Sequence, residues 1–355
     1  MRILIDIGHP GHVHLFKNFA KEMQRKGHEF LFTCRQKEFE IELLKAEGFT
    51  YKSFGNKFHT TLGKLFGLLK FDFLSVIQGL KFKPDLFMSH GSPYASHAAA
   101  MLRKPHISLE DSGNWEQMKL YLPFTGAVLT PDVLIEDLGE KQIRYRSYHE
   151  LAYLHPKYFI PKGNAAKILG LKPNEKYIIL RFVSWNASHD KGHGGISDEE
   201  KSKIINYLSN RYRLFITSEG ALPEKYKPYK IKIAPEQMHE VLSGAEFFIG
   251  EGATMAAESG VLGTPAIYIN SIRRAYNEDQ EKYGLVFNFQ SEEGVFDKIL
   301  ELEATQDFKN TFSDRREKLL ADKIDITALM VWFVENYPES KRIMVQNPDY
   351  QYNFK

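Results

Sequence analysis

The sequence predicts an α/β protein made of two Rossmann-like domains facing a cleft, and three observations predict it. The chain has 355 residues, more than the roughly 250–300 at which one hydrophobic core stops growing. Its first half alternates short apolar runs with segments of helical periodicity, the pattern of a parallel sheet flanked by helices. The alternation restarts near residue 176, after a stretch (155–176) holding Pro156, Pro161 and Pro173. The expected division is an N-terminal domain over 1–160, a C-terminal domain over 161–340 and a tail over 341–355.

RILIDIG (2–8) is a strand run ending in glycine. Val13, Phe16, Phe19, Ala20 and Met23 follow at helical spacing until Gly27 stops them. EFLFTCR (29–35) reads as the second strand, 37–47 as a helix closed by Gly48, and FTYKSFG (49–55) as the third strand. A long helical segment then precedes PDLFMSHG (84–91), the helix SPYASHAAAML, and the strands HISLED (106–111) and GAVLTPD (126–132). In the second half, KYIILRFVS (176–184), RLFITSEG (213–220), EFFIGEG (246–252) and TPAIYIN (264–270) read as strands. Ser197, with Glu200 three residues on, forms a capping box that starts a helix. ITALMVWFVENY (326–337) is an apolar helix that closes the second domain.

Composition narrows the function. Hydrophobic residues at 43% and charged residues at 26% are ordinary for a globular protein. A net charge of +2 offers no field for a nucleic-acid partner. Cys34 is the single cysteine, which leaves no internal disulfide and no thiolate-based zinc site. MRILIDIG lacks the pattern of a secretory signal, and the most apolar stretch (61–83) carries Lys64, Lys70 and Asp72. The expected location is the cytoplasm.

The strongest chemical signal is FIGEGATMAAESGVLGTPAIYI (248–269), a strand, a glycine-flanked turn, a helix and a strand. Gly250 and Gly252 permit close backbone approach, and the N–H groups of Ala253, Thr254 and Met255 point outward from a helix N-terminus. Those donors, with the helix dipole, make a phosphate site. Glu258 lies four residues after Thr254 on the same face, where a carboxylate suits two vicinal hydroxyls such as those of a ribose. The competing reading is a plain βα turn with Glu258 merely solvated. No G-K-[ST] follows, so this is not a Walker loop. GHPGHVH (8–14) lacks the third glycine of the dinucleotide fingerprint, which disfavours hydride chemistry.

That first turn holds His9, His12 and His14 at the carboxyl end of a strand, where ligands meet a doubly wound sheet. One of them could remove a proton from an acceptor hydroxyl, and the alternatives are a cap, a phosphate contact or a metal ligand. SWNASHDKGHGG (184–195) occupies the matching position in the second half and offers Ser184, Asn186 and His189 as donors to a phosphate or sugar. Further strand-end candidates are His90 with Ser92, and Glu110 with Asp111 as bases or hydroxyl-binding groups; each alone also fits a helix cap. Segment 58–83 interleaves phenylalanines with lysines. It fits either a peripheral membrane contact or a core helix with a lysine-rich face.

DIGHPGHVHLFKNFAKEM, YHELAYLHP, RFVSWNASHDKGHGG, PEQMHEVL and FIGEGATMAAESGVLGTPAI together resemble a prokaryotic family of predicted glycosyltransferases filed as a domain of unknown function. The resemblance runs from residue 6 to about 285. More distantly, the layout is similar to the glycosyltransferase-B superfamily. That group includes the N-acetylglucosaminyl transferase of peptidoglycan synthesis and the non-hydrolysing UDP-N-acetylglucosamine 2-epimerase. The resemblance implies that His12, within Gly11-His12-Val13, lies near the reacting centre. It gives the diphosphate to Ala253 and Thr254 and the ribose to Glu258, and it implies no bound metal. LEDSG (109–113) stands where the epimerase has a glutamate-glycine motif, whereas SWNASHD departs from that enzyme's basic loop.

The expectation is a glycosyltransferase whose substrate is a nucleotide-diphosphate sugar, UDP-linked, with no further cofactor. Its acceptor would be a saccharide or a lipid-linked molecule in surface polysaccharide or glycoconjugate synthesis. His12, Glu110 and Asp111 are the catalytic candidates. Ser184, Asn186, His189, Met238, Gly252, Ala253, Thr254, Met255 and Glu258 are the nucleotide-sugar candidates, with PEQMH (235–239) near the base. The rivals are a sugar-nucleotide 2-epimerase and a non-catalytic nucleotide-sugar-binding protein.

Overall fold

The computed structural model describes residues 1–36, 38–56, 58, 61–182, 196–218 and 221–355. It divides into two compact units, residues 1–153 with 323–355 and residues 154–322.

The first unit is a parallel sheet wrapped by helices. Its elements run β1 (Arg2–Ile7), α1 (Pro10–Arg25), β2 (Glu29–Gln36), α2 (Glu40–Ala46), β3 (Tyr51–Asn56), α3 (Thr61–Phe82), β4 (Leu86–His90), α4 (Pro93–Met101), β5 (His106–Leu109), α5 (Trp115–Tyr121), β6 (Ala127–Pro131), β7 (Gln142–Tyr145) and the single turn α6 (Leu151–Leu154). The strand order is β3-β2-β1-β4-β5-β6-β7. The order reverses between β1 and β4, and the carboxyl ends of strands at such a switch point are where doubly wound sheets bind ligands. Those ends are Gly8–His12 and His90–Ser92. Strands buried on both faces need near-continuous apolar runs, and Ile3, Leu4, Ile5 and Ile7 of β1 are fully buried. Leu4, Phe87, Ala98 and Ala99 form a core cluster against which Leu31, Val76, Phe82 and Leu102 pack.

The second unit repeats the plan in another order. It holds α7 (Ala165–Ile168), β8 (Tyr177–Phe182), α8 (Asp198–Ser209), β9 (Arg213–Ser218), α9 (Met238–Ser243), β10 (Phe248–Gly250), α10 (Ala253–Leu262), β11 (Ala266–Ile269), α11 (Ala275–Lys282), β12 (Val286–Phe289), α12 (Val295–Glu303) and α13 (Phe308–Asp322). The strands run β12-β11-β10-β8-β9, all parallel, so the switch lies between β8 and β10. Ser197 caps α8 as expected, its side chain accepting from the Glu200 N–H at 3.2 Å. The short strands β7 and β12 were not legible beforehand. No described helix is long and apolar enough to cross a membrane.

The division of the chain corrects the expected one. The apolar helix α14 (Ile326–Glu335), assigned from sequence to the second domain, belongs to the first unit. Lys26 pairs with Glu335 at 2.6 Å, and Thr327 donates to the Ala152 carbonyl at 3.0 Å. The expected tail is ordered too. It continues as α15 (Glu339–Gln346) and a 3₁₀ stretch (Pro348–Phe354), with Tyr350 and Phe354 packed on Trp332 at ring distances of 4.6 and 5.4 Å. An apolar helix reports that it must be covered. It does not report which sheet will cover it.

Candidate functional site

In the first unit, residues from the switch point line a cavity of about 810 Å³. Beneath it Asp6, at the end of β1, is fully buried and fully used. Its carboxylate accepts from Thr33 Oγ1 (2.7 Å), Arg35 Nη1 (2.7 Å) and Ser92 Oγ (2.5 Å). Burial opposes the Arg35 charge, but Asp6 outweighs it and raises the guanidinium pKa. The pair ties β1, β2 and the start of α4 together below the cavity.

His9 and His12 line this cavity, whereas His14 is buried against Tyr153 with ring centroids 5.2 Å apart. His9 caps α1, its Nδ1 accepting from the Gly11 N–H at 3.1 Å. His12 Nδ1 accepts from the Gly8 N–H at 3.2 Å. A ring nitrogen that accepts from a backbone amide carries no proton, so in both neutral rings the proton sits on Nε2. His12 therefore presents a donor here.

His12 stacks on His90, centroids 4.5 Å apart. Behind His90 stands a triad. His90 Nε2 bonds Asp111 Oδ1 at 2.9 Å, and His149 Nδ1 bonds Asp111 Oδ2 at 3.0 Å. Burial works against charge on His90, yet the hydrogen bond and charge of Asp111, aided by Glu110, push its pKa up to about 9. Burial likewise opposes the Asp111 carboxylate, and the two histidines overcome it and hold it well below its ordinary value. His90 lines the cavity and Asp111 does not, so Asp111 acts through His90. Glu110 does line it. One of its oxygens accepts from the Ser112 N–H (2.7 Å) and hydroxyl (2.5 Å), the other from Tyr121 OH at 2.8 Å.

His90, Asp111 and His149 are also the group, among the described residues, whose ligand atoms lie within 4.8 Å of one another as a metal would require. Both imidazoles already point a nitrogen at the carboxylate. Metal-bound histidines are normally steadied by a partner on the second nitrogen, and Nε2 of His149 is buried with none among the described residues. The arrangement fits a hydrogen-bonded proton-holding triad better than a metal centre.

In the second unit, α10 starts at Gly252 with no side-chain cap, so the first-turn N–H groups of Ala253, Thr254 and Met255 face outward around exposed Thr254. The approach is close. A Cβ on Gly250 would lie 2.5 Å from the Arg181 carbonyl oxygen, and one on Gly252 would lie 2.8 Å from Arg181 Nε. Gly250→Ala is therefore expected to destabilise the protein by about 1–3 kcal/mol, as overpacking does. Urea unfolding would read it, and an unchanged midpoint would refute the requirement. Arg181, whose Nη1 donates to Thr217 Oγ1 at 2.8 Å, places a cation beside this helix terminus.

Glu258 is 6% exposed, which rules out a merely solvated side chain. Its Oε1 lies 3.1 Å from His239 Nε2, and His239 packs edge-on against Phe159. Met238, half-buried, begins α9 one residue earlier. Arg181, His239 and His149 were missed from sequence, although His239 lies in PEQMH and His149 in YHELAYLHP. Ser184, Asn186 and His189 lie outside the described residues.

Two doubly wound parallel sheets, each with polar groups gathered at its switch point, define an α/β protein of the glycosyltransferase-B type. Solved structures share the fold. S. aureus MnaA, in a co-structure with UDP, matches with a TM-score of 0.71 at 13% identity over 96% of this chain and 97% of that one. UDP-GlcNAc 2-epimerase from Neisseria meningitidis, bound to UDP-GlcNAc, matches with 0.61 at 14% identity over 90% and 100%. The spinosyn forosaminyltransferase SpnP matches with 0.63 at 14% identity over 95% and 100%. The chain belongs to the DUF354 family, described as a protein of unknown function, whose pattern matches residues 1–283. An uncharacterized protein of Methanocaldococcus jannaschii is 26% identical over 279 residues, 75% of this chain and 80% of that one.

Proposed function

We propose that this protein is a glycosyltransferase that uses a UDP-linked sugar, working in the cytoplasm on surface polysaccharide or glycoconjugate precursors. The observation that carries the reading is the second unit's arrangement of an uncapped helix terminus, Arg181 beside it, and the buried Glu258–His239 pair one turn along. The helix N–H groups and Arg181 suit a diphosphate and make a metal unnecessary for its charge. Glu258, oriented by His239, suits ribose hydroxyls. UDP and UDP-GlcNAc bound to two proteins of the same fold support the choice of nucleotide.

The chemistry is assigned to the first unit. Glu110 accepts the proton of the acceptor hydroxyl as its oxygen attacks the sugar's anomeric carbon. The bond to the diphosphate breaks and UDP leaves with the electron pair. His90, kept charged by Asp111, and the Nε2–H groups of His9 and His12 donate to acceptor and sugar oxygens.

The likeness to the N. meningitidis epimerase favours one second reading, epimerisation at the sugar's C2 by the same proton-handling groups. Calorimetric titration with UDP, GDP, CDP and dTDP tests the shared premise, with UDP expected to bind selectively. Silence across that panel from folded protein would reject both readings. Solvent deuterium entering C2 without an acceptor would replace the transferase by the epimerase.

A further inference from the structure

We propose that the outward face of α3 docks on an anionic lipid bilayer and so presents a lipid-linked acceptor to the cavity of the first unit. The observation is an apolar stripe that the described residues leave exposed. Phe66, Leu69, Phe73 and Leu80 are 61%, 67%, 66% and 59% exposed. Their spacing of three, four and seven residues sets them on one side of the helix, opposite buried Phe71 and Ser75. A helix that is apolar on both faces belongs either in a core or against lipid, and α3 lies on the surface.

The stripe continues onto a neighbouring element. His97 of α4 bonds Asp72 of α3 at 2.9 Å and the Leu120 carbonyl at 3.0 Å, and packs edge-on against Phe124. Leu120 and Phe124 are themselves exposed, as is Trp115 at the start of α5. A patch this long exceeds the scattered apolar residues of an ordinary surface.

Charge selects the occupant. Lys70 and Lys81 flank the stripe, and exposed Lys83, Arg103 and Lys104 follow the ends of α3 and α4. The one carboxylate of α3, Asp72, is turned to His97. Lysine is depleted at protein interfaces, whereas apolar side chains ringed by lysines suit an anionic membrane surface. Gly67, Leu68 and Phe71 of the same helix, with Leu120, line the cavity. An acceptor held in the bilayer by its apolar chain would thus meet the catalytic groups beside the docking face. The acceptor's role rests on the transferase reading; the docking does not.

Co-sedimentation of the full chain with vesicles tests this. Association is expected with vesicles of phosphatidylcholine and phosphatidylglycerol, weakening as salt rises, and not with phosphatidylcholine alone. Phe66→Ser, Leu69→Ser and Phe73→Ser combined should abolish it. Lys70→Gln with Lys81→Gln, which leaves the apolar face intact, should weaken it about fivefold per lysine. No association at low salt, or equal association by the variants, overturns the proposal. A dimer in sedimentation velocity that the triple substitution dissolves, without vesicle binding, would assign the face to a second copy and also overturn it. Vesicle binding needs no nucleotide, so a silent UDP titration with intact vesicle binding would sink the transferase reading alone.

Discussion

Asparagine in place of Asp111 is expected to lower turnover by roughly 10²–10⁴-fold, the range for losing a positioned proton-handling group, without weakening UDP binding. The carboxylate joins His90 at 2.9 Å and His149 at 3.0 Å, and asparagine keeps its shape while removing the charge. The His90 pKa, pushed up to about 9 by Asp111, should fall toward the ordinary histidine value near 6.5. His90 is charged below its pKa, so the native protein keeps its donor up to about pH 9, and on the transferase reading activity is expected to fall above it. In the variant the alkaline limb moves down through neutral pH. Stability follows the same sign. A raised histidine pKa confers stability that is complete below about 6.5 and fades as pH rises through 9, and the variant loses that contribution. The His90 ring proton, followed by NMR across pH, reads the shift without any substrate. A titration midpoint unmoved by Asp111→Asn would dissolve the triad as a functional unit.

Removing the Glu258 carboxylate should weaken UDP binding by about 1.5–3 kcal/mol, the worth of charge-assisted hydrogen bonds, or roughly 10- to 150-fold. Glu258→Ala also leaves His239 buried without its partner, so Glu258→Gln, which can still meet the ring, separates the two effects. If both variants bind UDP as the native protein does while the fold holds, Glu258 is not a ribose ligand. His239→Ala is expected to cost less, because His239 orients the carboxylate rather than replacing it.

Much of this molecule was legible as a string. The strand–turn–helix at 248–262 was readable because a βα turn with close backbone approach demands glycine, and both Gly250 and Gly252 face Arg181 at distances a Cβ would violate. Glu258 was readable because four residues of helix return a side chain to the same face. The capping of α8 by Ser197 followed from local hydrogen-bond geometry alone. The short strands β7 and β12 were not visible, since four residues carry too little periodicity. The histidines of GHPGHVH were visible as candidates, but which backbone amide each of His9 and His12 meets was not.

Local periodicity, turn chemistry and charge patterning thus determined, from the sequence by itself, the two-domain α/β class, the glycine-flanked helix start at 252–255 and the lysine-flanked apolar stretch at 58–83. Only the tertiary structure decided that α14 returns to the first unit, that Asp111 stands behind His90 with His149 beyond it, and that His239 meets Glu258. The physical reason is range. Residues within a helix turn or strand pair are placed by dihedral geometry that each short segment carries. Partners separated by 19 residues (His239 and Glu258) or by some sixty (His90 and His149) are placed by strand order and by which apolar faces cover one another, and those depend on the whole chain at once.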